Sequence, residues 1–201
     1  HPEDYWNHIN AGHGIYRYTN LNNPDVYFNE NIRRLIQNYR SSFLQLGLQN
    51  LYSSDEDGKV KTLEILDKME NYFPQDVIPT TDAELDIQIG RIYSQAGQPE
   101  ELKNRLKSVQ KRKDISLETQ MYIGQIYMNE FQDYDAAIEH YEKLYDEYPY
   151  IPDFLYTLVQ AYAKAERRSD AVELLEIWLG SHPNDSQAVD WLSILAPPPS
   201  Q

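Results

Sequence analysis

Apolar residues recur along this chain at helical spacing, and small residues recur among them at a longer one. From Asn29 or Asn31 to about Tyr52, the apolar positions Ile32, Leu35, Ile36, Tyr39, Phe43, Leu46 and Leu51 predict one long helix. The polar run Ser53–Gly58 reads as a loop, and Lys59–Phe73 reads as a second helix. Inside the first helix Gly47 is a small residue preceded by Leu46. The same arrangement returns as Ile89-Gly90, Ile123-Gly124 and Leu158-Val159, with Leu192-Ser193 a fifth candidate. The steps between the small residues are 43, 34, 35 and 34. Three places further on stand Asn50, Tyr93, Tyr127, Tyr162 and Ala196. A second series runs in parallel: Thr62, Leu102, Ala137 and Ala171, then Leu66, Leu106, Tyr141 and Leu175 four later, then Met69, Val109, Leu144 and Trp178. Pro74, Pro149 and Pro183 close three of the four units, and Asp114 holds that place in the second.

This is the pattern of a helix hairpin used again and again. A glycine in the middle of a helix has no side chain, so a second helix can come close, and Ala137 and Ala171 do the same from the other side. Residues three and four places away fill the stripe between the two. Proline cannot continue a helix, because it lacks an N–H and clashes with the preceding turn. One hairpin cannot bury its own apolar stripe, so about three or more must stack.

Local signals fill in the rest. Pro74–Thr80 is an inserted connection that accounts for most of the excess in the first step of 43. Thr81-x-x-Glu84 reads as a capping box, Gly97-Gln98-Pro99 as a turn with Pro99 opening the next helix. Lys103, Lys107, Lys111, Arg112 and Lys113 read as a solvated basic face. Residues 185–196, with Trp191, Leu192 and Leu195, read as a capping helix over the last hairpin, followed by a frayed tail at 197–201. Residues 1–29 do not repeat. Their aromatics and aliphatics (Tyr5, Trp6, Ile9, Ile15, Tyr16, Tyr18, Val26, Tyr27, Phe28) are too many for a disordered tail, so an ordered segment packed on the hairpins is expected.

A period of roughly 34 is that of the tetratricopeptide repeat, and about residues 40–196 resemble that family. The resemblance implies an all-α, right-handed α-solenoid, with four hairpins over 30–184 and the C-terminal capping helix over 185–196. It also implies a protein-interaction scaffold that holds a peptide or partner segment on its concave face, where the first helix of each hairpin lies. The places concerned carry Leu44, Leu48, Ile87, Arg91, Met121, Gln125, Tyr156 and Gln160, with Met128 and Lys164 nearby. That groove reads as mainly apolar, and methionine suits an adaptable surface. Its occupant stays open between an external peptide, a second copy of the chain and the chain's own residues 1–29. Chaperone-binding members of the family hold a C-terminal carboxylate with Lys and Asn at these places. This chain lacks that set, which excludes that partner class.

Composition narrows the chemistry. A net charge of −14 disfavours nucleic acid and anionic lipid surfaces. With no cysteine there is no disulfide framework, thiolate zinc site or cysteine nucleophile. No run of about 18 apolar residues offers a membrane span. His8 and His13 with Glu3 and Asp4 match no zinc spacing, and His140 is expected on a helix surface. Gly12-His13-Gly14 reads as a turn, and no nucleophile elbow, phosphate loop or metalloprotease motif occurs. The sequence therefore points to no catalytic residue, no metal and no cofactor. Asn184-Asp185-Ser186 fits both a glycosylation sequon and the start of a helix.

A second resemblance rests on Tyr16-Arg17-Tyr18, the run Asn22–Phe28, Asn38-Tyr39-Arg40 and Phe43, and covers about residues 5–110. These look like the junction after the last membrane helix in bacterial multi-spanning proteins similar to protein O-mannosyltransferases. Together with a first residue of His1, this implies a fragment or processed chain. It would be the soluble accessory tail of a membrane-embedded glycosyltransferase-like protein, on the outer face of the cytoplasmic membrane, with no catalytic residue of its own. A freestanding scaffold would instead be cytoplasmic.

Overall fold

The computed structural model describes residues 20–196, and these form nine α-helices and no strand. The fold class is all-α, built from helix hairpins. The chain divides into two compact units, one ending at Arg112 and the other beginning at Lys113. In a repeat protein each hairpin contacts its neighbours in sequence, so a row of hairpins separates readily into groups.

In the first unit α1 (Glu30–Leu51) packs on α2 (Gly58–Tyr72), and α3 (Ala83–Gln95) packs on α4 (Pro99–Gln110), α1 and α2. Asn29 caps α1 through a bond from the Ile32 amide at 3.0 Å. Thr62 donates its hydroxyl to the Gly47 carbonyl at 3.0 Å, tying α2 to α1 at the close approach. Gly90 is still tighter: a Cβ there would lie 3.0 Å from Leu102 of α4. Before α1, Phe28 is buried, and Leu21 and Val26 pack against the same core. The expectation of an ordered N-terminal segment thus concerns 20–29 within the described residues, and 1–19 outside them, as does the tail at 197–201.

The inserted connection is organised by Arg40. This arginine is fully buried in α1, and its Nη2 donates to the carbonyls of Phe73 (2.7 Å) and Ile78. Phe73 ends α2, so one guanidinium satisfies both a helix terminus and the loop that follows. Arg112 donates to the carbonyls of Thr80 and Thr81 from the other side. That member of the basic run is therefore half-buried and engaged in structure. A buried network joins the remaining helices. Arg105 of α4 pairs with Asp86 of α3 and Glu70 of α2, each at 2.6 Å, and Tyr93 donates to Asp67 at 3.1 Å.

In the second unit α5 (Leu117–Ile126) continues as a π-helical turn, Tyr127–Phe131. It is followed by α6 (Tyr134–Glu147), α7 (Pro152–Lys164), α8 (Arg168–Ser181) and α9 (Ser186–Leu195), each packed on the one before. Pro74, Pro149 and Pro183 each stand directly after the residue that caps a second helix. Gly90, Gly124 and Ala137 are all buried.

Four local expectations are corrected. The cap of α3 is Asp82, which accepts from the Glu84 and Leu85 amides, so Thr81 and Glu84 make no capping box. An aspartate one place later is a stronger cap than threonine, and the Thr81 carbonyl is already taken by Arg112. Ile32 and Leu35 are exposed, whereas Ile36, on the same turns of α1, is buried. Ser193 is exposed as well. Helix α9 turns Ala188 and Leu195 inward, and no second helix follows it among the described residues to require a small residue at 193. His140 is buried, not solvent-facing: it lies three places from Ala137 on the packed face of α6, and its Nε2–H donates to the Gln120 carbonyl at 2.7 Å.

Candidate partner-binding surface

Two registers of residues enter the expected groove, and the structure treats them differently. The places three before each small residue are Leu44, Ile87, Met121 and Tyr156. They share a helix face with the close approach, and they are turned inward. Leu44 and Ile87 are buried, and Met121 and Tyr156 are half-buried. Met128, four places after Gly124, is buried for the same reason. Leu44, Ile87 and Met128 therefore belong to hairpin cores and do not line a groove, whereas Met121 and Tyr156 keep part of their surface open. The places one after each small residue behave otherwise. Leu48 and Arg91 are half-buried, and Gln125 and Gln160 are exposed, as is Lys164 one turn further along α7.

Leu44, Leu48, Ile87 and Arg91 belong to the first unit. The other six belong to the second, where the reachable set is Gln125 on α5 with Gln160 and Lys164 on α7. Lys164 carries its Nζ over the Tyr134 ring, 6.0 Å from the centroid.

Tyr156 is held at its hydroxyl, which donates to Asp185 Oδ1 at 2.6 Å. The indole of Trp178 donates to Oδ2 of the same carboxylate at 2.8 Å, and Oδ1 also accepts from the Ala188 amide to cap α9. One carboxylate therefore joins α7, α8 and α9. The Tyr156 bond first, and then the Trp178 bond, hold Asp185 below the usual carboxylate range. Burial, reinforced by Asp185, pushes the Tyr156 phenol up. The Asn184-Asp185-Ser186 run is thus a helix start whose central residue fastens three helices. Only its capping half was visible beforehand, because the Tyr156 partner lies 29 residues away.

A second feature escaped the sequence reading, although its register was there to find. Gly97, Gln132 and Glu166 occupy the same turn in three successive hairpins, all with positive φ, at 109°, 52° and 62°. In two of them the following amide reaches back five residues, Gln98 to Tyr93 and Arg167 to Tyr162, each at 2.9 Å. In the third, Asp133 reaches back six, to Tyr127, which accommodates the extra residue of the π-helical turn.

The hairpin geometry and its period define a class of helical-repeat protein. Residues 129–191, within the second unit, match the family model described as tetratricopeptide repeat. Residues 129–191 therefore carry the tetratricopeptide repeat pattern. A solved structure of MamA AMB-1 aligns with a TM-score of 0.44 and 16% identity, covering 79% of this chain and 81% of that one. No curated protein matches the chain, so the resemblance to membrane-anchored transferases gains no support from one. No helix among the described residues is long and apolar enough to cross a membrane.

Proposed function

We propose that the second unit binds a segment of a protein partner along the first helices of its hairpins, across Gln125, Gln160 and Lys164, with Met121 and Tyr156 at the edge. The observation that carries this reading is the split between registers: Met121 and Tyr156 are half-buried in packing, while Gln125 and Gln160 in the next register along stay open to solvent. The surface offers two carboxamides, which donate and accept, and one ammonium. It therefore suits the backbone of an extended segment or the polar face of a helix better than a greasy anchor. The half-buried edges add a modest apolar contribution.

Peptides selected from a random library against the full chain provide the test. The triple variant Gln125→Ala/Gln160→Ala/Lys164→Ala should lose about tenfold or more in affinity, while the outer-face control Glu139→Ala/Glu173→Ala keeps it, both with unchanged helicity. Peptides that bind the triple variant as well as the native chain would place recognition elsewhere.

A further inference from the structure

We propose that the basic face of α4 docks on the acidic face of α6 in a second copy of this chain, so that copies associate head to tail. Residues 102–113 hold six of the 18 basic side chains and none of the 32 acidic ones. The rest of the chain carries 12 basic and 32 acidic residues, a net charge of −20. One helix and its end thus oppose the sign of the remaining chain. The residues concerned are none of those proposed for peptide binding, so the two readings fail separately.

The basic residues divide by what they already do. Arg105 is held by Asp86 and Glu70, and Arg112 by the carbonyls of Thr80 and Thr81. Lys103 is half-buried. Lys107 and Lys111 are exposed, and neither has an ion-pair partner among the described residues. They stand four places apart, Lys107 in the last turn of α4 and Lys111 as its cap, so their ammonium groups share one side of the helix and repel each other. The negative end of a helix favours a cation there, but it supplies no counter-charge for two.

Helix α6 presents the answering pattern. Asp135, Glu139, Glu142 and Asp146 follow one another at four, three and four places, which puts them in one row. Asp135, Glu139 and Asp146 are exposed. Lys143 is the only lysine or arginine on this helix, and its 2.7 Å pair with Glu139 lies in solvent, a weak hold. Asp135 and Asp146 have no ion-pair partner among the described residues. Carboxylates four places apart on one helix match ammonium groups four places apart on another. A phosphate polymer would run past Lys107 and Lys111 onto a chain of the same sign as itself and be repelled. A second copy brings a single helix row to the patch, and exposed charges more than about 8 Å away are largely screened at physiological salt. One copy offers α4 and the other α6, so each keeps one open face and association runs on past two unless the copies close a ring.

Sedimentation velocity of the full chain, from about 10 μM to about 1 mM, tests this. In about 0.1 M salt the sedimentation coefficient should climb with concentration. In about 1 M salt, where the screening length falls to about 3 Å, the association constant should drop about tenfold or more. The sign is diagnostic: salt would help two acidic chains to meet through an apolar contact, and it weakens a contact between opposite charges. The variants Lys107→Glu/Lys111→Glu and Glu139→Lys/Asp146→Lys, all at exposed positions, should each stay monomeric alone. Mixed, they should associate again, because each then meets the opposite charge on the other. Circular dichroism checks that both remain helical, and the milder Lys107→Gln/Lys111→Gln should weaken native association if a reversed variant fails to fold. A native chain that stays monomeric up to about 1 mM, association that holds or strengthens in high salt, undiminished association of Lys107→Gln/Lys111→Gln, or a helical mixture that stays monomeric would each overturn the proposal.

Discussion

Tyr141 lays its ring directly over Gly124, so closely that a β-carbon on residue 124 would overlap the phenol. The ring cannot withdraw. Tyr141 is fully buried, and its hydroxyl donates to the Met121 carbonyl at 3.1 Å. Gly47, at the equivalent place in the first hairpin, has Thr62 opposite, and an added β-carbon would lie 3.6 Å away in ordinary contact. Gly124→Ala should therefore destabilise by about 1–3 kcal/mol through overpacking. Gly47→Ala should be neutral or stabilise by up to about 1 kcal/mol, because glycine is a poor helix former. Urea unfolding of the two variants decides it, and equal midpoints would mean that the two hairpins pack alike.

Arg40→Met keeps the length and apolar stem of the side chain and removes its donors. The carbonyls of Phe73 and Ile78 would then be buried without partners. A loss of roughly 3 kcal/mol or more is expected, together with faster amide exchange at Val77 and Ile78. Their bonds to the Pro74 carbonyl shape the connection that Arg40 holds. Unchanged exchange there would show that the loop keeps its form without the arginine.

Asp185 makes the second unit acid-sensitive. Its pKa in the folded state is depressed, chiefly by Tyr156 and then by Trp178. The stability it contributes is present above the unfolded aspartate value of about 3.9, and is lost as pH falls through the lower folded value. The indole N–H resonance of Trp178 should move toward solvent values on that acid limb. In Asp185→Asn it should sit there already at neutral pH, with α9 loosened. An indole signal indifferent to both changes would disconnect Asp185 from α8.

His140 acts in a higher window with the same sign. Burial lowers its pKa, against the opposing effect of the Gln120 bond, so the folded state prefers the neutral ring. An unfolded histidine titrates near about 6.5. Stability should be level above that value and fall as pH drops below it, since the unfolded chain then binds the extra proton. His140→Gln, which retains a donor for the Gln120 carbonyl, should flatten the slope in urea midpoints between about pH 7.5 and about pH 5.5. A slope unaltered by the substitution would assign it to other groups.

Gln132 and Glu166 adopt the left-handed backbone that Gly97 adopts in the equivalent turn. For a residue with a β-carbon that conformation costs roughly 1–2 kcal/mol, part of which glycine returns through the entropy of the unfolded chain. Gln132→Gly and Glu166→Gly should each raise stability by roughly 0.5–1 kcal/mol. Gly97→Ala should lower it, although nothing lies within 4 Å of its missing side chain. Thermal melts of the three variants suffice, and a stabilised Gly97→Ala would contradict the shared turn.

The hairpins were legible in the sequence because what makes a hairpin is short-ranged. Helical spacing is a matter of three or four residues, a close approach needs one small residue, and a proline ends a helix where it stands. Gly90, Gly124, Ala137, Pro149 and Pro183 carried that information one position at a time. What the sequence did not contain in readable form is how wide the buried stripe of each helix would be. That width turned Leu44, Ile87 and Met128 into core, left Gln125 and Gln160 outside, and buried His140. Nor could spacing show that Arg40 reaches across 33 and 38 residues, or that Asp185 meets Tyr156 across 29. Such partners are chosen by where helices come to rest against each other, which depends on all the side chains between them at once. Period and helix pairing were therefore determined by the chain's own local pattern, whereas the reachable surface, the division at Arg112 and the exposure of Lys107 and Lys111 were decided only in three dimensions.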